Sequence, residues 1–268
     1  MKARAFPKLF LAVSLLLVVA CAISPLGRRQ LKLIPDGEMN QLGLAAFDEM
    51  KSTGNLASDP RALAYVRCVS EAILAEAMDP TGVADWEIQL FDDDTPNAFA
   101  LPGGRIGVHT GLLDVAKTAD QLAAVIGHEV GHVIARHGNE RISTSYVATA
   151  GMSVVEIWLG DKDPKDRDNI MQLLGVGTAL GVMLPFSRTH ESEADIVGLE
   201  LMARAGFDPR ASVELWENMM AAGGGAPPEF LSTHPSGETR IRDLQASMPG
   251  AMQLYDQARA SGKKPRCR

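Results

Sequence analysis

The chain has 268 residues, of which 46% are apolar, with near-zero mean hydropathy and a formal charge of −7. That composition fits one large or two small globular domains with a core of ordinary size, and it excludes a disordered or fibrous protein. The first twenty residues hold Lys2, Arg4 and Lys8 but no acid, so the remainder is more acidic still, and a basic surface for nucleic acid is not expected.

Residues 1–20 join a basic start to an apolar run, Leu9–Ala20, too short for a comfortable membrane span. They read as a secretory signal. The junction Val18-Val19-Ala20-Cys21 resembles a bacterial lipobox, which predicts cleavage before Cys21 and lipidation of that cysteine; a plain signal peptide or an uncleaved anchor is the competing reading. Ala22 replaces the Asp that would signal inner-membrane retention, so the expected location is the periplasmic side of the outer membrane of a Gram-negative cell, held there by lipid. With Cys21 acylated, Cys68 and Cys267 remain as an even pair in an oxidising compartment. A disulfide between them is expected, with two unpaired thiols as the alternative. Residues 21–36 read as a tether, and 37–268 as a single domain.

Within that domain, Asp36–Ser52 and Pro60–Met78 read as amphipathic helices separated by a turn-rich segment. Trp86–Phe91 and Asn97–His109 read as strands, the second broken at Pro102-Gly103-Gly104 by a hairpin; a phosphate loop would need a following Lys-Ser or Lys-Thr. One of these strands is a candidate edge for pairing with an extended peptide.

Gly127–His137, GHEVGHVIARH, follows a capping-box pattern formed by Thr118 and Gln121, and Gly138 stands where a left-handed cap is expected. His128 and His132 are four residues apart, so both imidazoles leave one helix face and can hold one metal ion. Glu129 lies beside that face, where its carboxylate can take a proton from a water held by the metal. Leu122, Val125, Ile126, Val133 and Ile134 are the predicted core side of this helix. A third ligand is required. Ala135 and Gly138 occupy the positions where a metzincin has Gly and His, and His137 comes one residue early. The better candidate is Glu191 in SRTHESEAD, with Asp195 one turn later to accept a hydrogen bond from a ligand imidazole.

Beyond the metal helix, Tyr146–Leu159 and Ile170–Phe186 are apolar and flank a charged segment; Gln172, three glycines and Pro185 suit the second to a buried or plug-like helix, with a segment that dips into a membrane as the competing reading. The Glu191 helix is expected to end at Ala205-Gly206, and Asp208-Pro209 to open the next. Gly223–Pro228 reads as a flexible break, followed by THPSGETRI and a polar helical tail.

Together, NAFALPGGRIGVHTGLL, GHEVGHVIARH, LPFSRTHESEAD, AGFDP and THPSGETRI resemble metallopeptidase family 48, which includes CAAX prenyl endopeptidases and small bacterial envelope lipoproteins. The resemblance covers most of the mature chain. It implies an α+β, zincin-like (gluzincin) metallopeptidase domain, mostly helical, with a small β-sheet beside the HExxH helix. It also implies one Zn2+ per chain on His128, His132 and Glu191, with Glu129 as general base and acid, and Asp195 supporting a ligand. His234 and Arg240 match the family's HPxxxxRI segment and join the catalytic group, the His either stabilising the tetrahedral intermediate or masking the site at rest. The activity implied is hydrolysis of unfolded or misassembled envelope polypeptides. The alternative is a chaperone or scaffold for the outer-membrane assembly machinery whose protease site is usually closed.

Overall fold

The Asp59 carboxylate accepts hydrogen bonds from the backbone N–H groups of Arg61 and Ala62, and Pro60 occupies a first-turn position where no donor is needed, so a helix begins there. The structure is a computed structural model that describes residues 21–77, 82–83, 85–159, 186–222, 234 and 238–268. The signal over 1–20, most of the apolar stretch Ile170–Phe186 and the Gly223–Pro228 break lie outside the described residues.

In chain order the elements are β1 (Cys21–Ile23), β2 (Arg29–Leu31), α1 (Asp36–Thr53), α2 (Pro60–Leu74), β3 (Glu87–Phe91), β4 (Ala98–Leu101) and β5 (Arg105–His109). They continue with α3 (Thr110–Leu113), α4 (Ala119–Ile134), α5 (His137–Leu159), α6 (Arg188–Ala205), α7 (Ala211–Ala222) and α8 (Glu238–Ala260). The architecture is α+β, mostly helical, with a small sheet packed on α4. Among the described residues no helix is long and apolar enough to cross a membrane. The chain divides into two compact units, one formed by residues 1–35 and 139–182, the other by 36–138 and 183–268.

In the first unit, β1 and β2 pair antiparallel, with Ala22 opposite Gln30. This hairpin occupies the segment expected as a tether. It is fixed to α5 by an Arg28–Glu140 pair in which both guanidinium nitrogens donate to the carboxylate, at 2.7 and 2.6 Å, and by the Leu33 N–H donating to Ser143 Oγ at 2.9 Å.

In the second unit, β5 is the central strand, parallel to β3 and antiparallel to β4. The β4–β5 turn is the predicted hairpin, and Gly103 and Gly104 both take positive φ, 86° and 77°, which a side chain would resist. Ile88, Leu90, Ala98, Ile106 and Val108 face the core. Helix α2 stops at Leu74 rather than the expected Met78, because Glu76 and Ala77 donate to Ile73 and Leu74 in tightened three-residue turns.

Helix α4 is buried at every position from Gln121 to Ile134 and packs against β4, α2, α6 and α7. Thr118 Oγ1 accepts from the Gln121 N–H, and Gln121 Oε1 accepts from the Lys117 N–H, one residue before the donor that a capping box uses. Small residues set the α4–α6 distance. A Cβ on Gly127 would lie 2.8 Å from the Gly198 carbonyl oxygen, and one on Gly131 would lie 2.9 Å from that of Ala194, so the two backbones touch. This approach lets a glutamate of α6 reach the two histidines of α4.

Candidate metal centre

The Ser187 hydroxyl accepts from the His190 N–H and starts α6, so Glu191 projects from its first turn and Asp195 from the next. Gly206, at φ 88°, ends this helix where expected, with the Gly206 and Phe207 N–H groups donating to Ala203 and Met202. His128 and His132 turn their Nε2 atoms toward Glu191. His128 Nε2 lies 3.0 Å from His132 Nε2 and 3.5 Å from Glu191 Oε2, and His132 Nε2 lies 3.4 Å from Glu191 Oε1. On its outer edge His128 Nδ1 lies 2.9 Å from Asp195 Oδ1, which fixes the ring and, in the neutral imidazole, places the proton on Nδ1 and leaves Nε2 bare.

His234 enters the same cluster. Its Nδ1 is 3.2 Å from both His128 Nε2 and Glu191 Oε1, and its Nε2 is 3.6 Å from Glu129 Oε1. Possible ligand atoms of His128, His132, Glu191 and His234 all lie within 4.8 Å of one another, and all four residues are buried. Arg240 closes the back of the site. Its Nε and Nη2 donate to the two Asp195 oxygens at 2.7 and 2.6 Å, its Nη1 donates to Glu191 Oε2 at 2.6 Å, and its guanidinium lies 3.9 Å from the Trp216 ring. Arg240 thus holds carboxylates in place, behind the point on which the imidazoles converge.

The electrostatics follow from burial. Burial opposes ionisation of Glu191, but hydrogen bonds from His128, His132 and His234 outweigh it and hold the carboxyl far below the usual carboxylate range. Burial, joined by the neighbouring His128 and His234, outweighs the hydrogen bond with Glu191 and pushes His132 well below its ordinary value, which keeps it neutral. Burial also pulls on His128, yet the hydrogen bonds to Asp195 and Glu191 raise it to about 9. Asp195 is depressed, the Arg240 guanidinium overcoming the cost of burial. Glu129 moves the other way, raised by burial even though the Ala100 backbone N–H of β4 bonds to its carboxylate. A buried carboxyl with a raised pKa holds a proton more readily than a free one, which suits a group that takes up and returns a proton.

Two imidazole nitrogens and a carboxylate oxygen facing one point form a donor set that fits a first-row divalent metal. Glu129 Oε1, buried beside them, has no hydrogen-bond partner among the described residues, which fits a proton acceptor for a water at that point.

The structure therefore brings together His128, His132, Glu191, Glu129, Asp195, His234 and Arg240. Cys68 of α2 and Cys267, beyond α8, are disulfide-bonded with Cα atoms 5.5 Å apart, and Cys21 opens β1. The expected left-handed cap at Gly138 is corrected: α4 ends at Ala135, Arg136 takes the positive φ of 55°, and Gly138 lies inside the first turn of α5. Four residues around the cluster were not singled out for the metal centre. Phe186 lies tilted on His132 with ring centres 4.1 Å apart, Trp216 backs His128, His137 adjoins His132, and Glu193 lies against His137 on its far side. His137 had a sequence signal, a histidine five residues past the second ligand; Phe186, Trp216 and Glu193 had none that set them apart from ordinary core or surface positions.

The model of Peptidase family M48 matches residues 60–248. The chain is 41% identical over 191 residues to mitochondrial metalloendopeptidase OMA1 of Schizosaccharomyces pombe, covering 70% of this chain and 53% of the relative. It is 33% identical over 257 residues to the mitochondrial metalloendopeptidase OMA1 of Bos taurus, covering 90% and 47%. It is 29% identical over 214 residues to the beta-barrel assembly-enhancing protease of Escherichia coli, covering 78% and 43%. The chain spans about half the length of these relatives.

Proposed function

The chain belongs to peptidase family M48, and from that premise we propose that it is a zinc-dependent endopeptidase of the bacterial envelope. It would act on unfolded or misassembled envelope polypeptides, anchored through lipid on Cys21 at the periplasmic face of the outer membrane. The observation that carries the reading is the convergence of His128 Nε2, His132 Nε2 and Glu191 on one buried point beside Glu129 Oε1, which accepts no hydrogen bond among the described residues. Similarity to proteins named mitochondrial metalloendopeptidase and beta-barrel assembly-enhancing protease supports the activity, and the second of these supports the envelope setting. The lipobox and the disulfide-bonded Cys68–Cys267 pair support an oxidising compartment.

His128, His132 and Glu191 would hold the zinc. When bound, zinc supplies Lewis acidity toward water and a peptide carbonyl. Glu129 takes the proton of the attacking water and returns it to the leaving amine, which its raised pKa favours. Asp195 and Arg240 keep His128 and Glu191 oriented through the reaction. Edge strand β4, whose Ala100 N–H already reaches Glu129, is the place for an extended substrate to pair.

The test is complementation of a deletion strain with Glu129→Gln. Loss of rescue by a folded, zinc-loaded variant is the expected result. Full rescue would transfer the function to a chaperone or scaffold role in outer-membrane assembly.

A further inference from the structure

Two buried groups have no part in the reaction described above, His137 and Glu193. His137 Nδ1 lies 3.0 Å from His132 Nδ1, and His137 Nε2 lies 3.1 Å from Glu193 Oε2. We infer that His137 is a positioning residue of the metal centre: it accepts the Nδ1–H of His132, and Glu193 fixes the His137 ring in the one tautomer able to do so. This rests on the reading that His132 binds metal through Nε2.

Each proton assignment forces the next. A neutral imidazole carries one N–H and one lone pair. His132 Nε2 faces Glu191 and His128, so its lone pair serves the metal and its proton sits on Nδ1. That N–H points at His137 Nδ1, which must be bare to accept it. The His137 proton is then on Nε2, facing the Glu193 carboxylate. The opposite tautomer of His137 would set two N–H groups head to head across 3.0 Å. The two ligand histidines thus have unlike supports. His128 bonds to the Asp195 carboxylate directly, whereas His132 reaches the Glu193 carboxylate through a second imidazole. The His190 ring, stacked on His137 with centres 4.5 Å apart and planes at 23°, fixes the plane of that imidazole.

The backbone is shaped for this contact. On an uninterrupted helix a residue five positions past His132 would point about 140° away from it. The helix breaks instead. Arg136 adopts φ 55°, an uncommon conformation for a residue with a side chain, and the chain turns into α5 so that His137 comes back against His132. A side chain placed only to fill space needs neither an Nδ1-to-Nδ1 contact nor a carboxylate behind it.

The experiment measures zinc affinity by chelator competition for the wild type, His137→Ala and His137→Asn, and reads the histidine tautomers of the zinc-loaded wild type by long-range 1H–15N NMR. His137→Ala should bind zinc roughly 10- to 100-fold more weakly, as expected when the support of a ligand histidine is lost. His137→Asn should recover most of that loss, since its Oδ1 can accept from His132 while its Nδ2 donates to Glu193. In the wild type, His137 should be the Nε2–H tautomer. Unchanged affinity in His137→Ala, no recovery in a folded His137→Asn, or a His137 protonated on Nδ1 overturns the inference. If His137→Ala does not fold, the wild-type tautomer and the Asn variant decide. A wild type that binds no zinc would sink the metal reading itself, whereas one zinc per chain with His137→Ala indifferent would remove only the positioning role.

Discussion

His234 stands between Glu191 and Glu129: its Nδ1 is 3.2 Å from Glu191 Oε1 and its Nε2 is 3.6 Å from Glu129 Oε1. In the proposed mechanism an imidazole there would stand in the place of the water that Glu129 activates, and it is itself a competent ligand. His234→Ala should therefore raise cleavage of an unfolded protein such as casein several-fold while zinc content stays at one per chain. A fall of about a hundredfold instead would assign His234 to stabilising the oxyanion. No change in either activity or metal affinity would leave it a structural residue.

Glu191 and Glu129 should separate cleanly in metal analysis. Glu191 supplies the carboxylate on which His128, His132, His234 and Arg240 all converge, so Glu191→Ala should lose bound zinc and activity together. Glu129→Gln keeps every ligand and removes only the proton acceptor. It should retain one zinc per chain while turnover falls by roughly 10²- to 10⁴-fold. Equal zinc content in Glu191→Ala and wild type would refute the third ligand.

The α4–α6 contact makes a glycine pair predictable in opposite directions. A Cβ on Gly198 would lie 2.6 Å from the His128 backbone nitrogen and 2.7 Å from the Gly127 carbonyl carbon, neither of which can move unless the helices part. Gly198→Ala should cost about 1–3 kcal/mol of stability and weaken zinc binding, because α6 carries Glu191. Gly250, in α8, has nothing within 4 Å of its Cβ position, so Gly250→Ala should leave the melting temperature unchanged or slightly higher. Thermal melts and zinc titrations of the two variants check both signs; equal behaviour would remove the spacing argument.

The residues of the candidate site were legible because they obey helical arithmetic: His128 and His132 share a face at i, i+4, and Glu191 and Asp195 do the same on a second helix. Caps were legible where one side chain or a glycine decides the backbone, as at Thr118 and Gly206. The break at Arg136 was not, because a left-handed Arg carries no residue-type signal; the nearby Gly138 drew the cap two residues too far. The same break hid His137, which helical counting turns away from His132. The hairpin over residues 21–31 was hidden for another reason. Its anchor, Arg28 on Glu140, pairs residues 112 apart in sequence, and a charged, proline-containing segment after a lipobox reads locally as a tether.

The Cys68–Cys267 bond joins α2 to the tail beyond α8 across a sequence separation of 199 residues. A cross-link spanning so long a loop removes much of the freedom of the unfolded chain, and losing it typically costs about 2–5 kcal/mol. The tail has further contacts: Lys263 Nζ bonds to Glu76 Oε1, and a Cβ on Gly206, at the end of α6, would lie 2.5 Å from the Lys263 carbonyl oxygen. Releasing Cys267 therefore loosens a strap that runs from α2 past the end of the helix carrying Glu191. Reduction, or Cys68→Ser with Cys267→Ser, should lower the melting temperature by roughly 5–15 °C. Zinc stoichiometry at room temperature should not change, since no ligand lies on the strap. Melting curves of the oxidised, reduced and doubly substituted proteins, each with metal analysis, check this. The reduced wild type and the double variant should coincide, and identical melting of oxidised and reduced wild type would mean that the bond adds no stability.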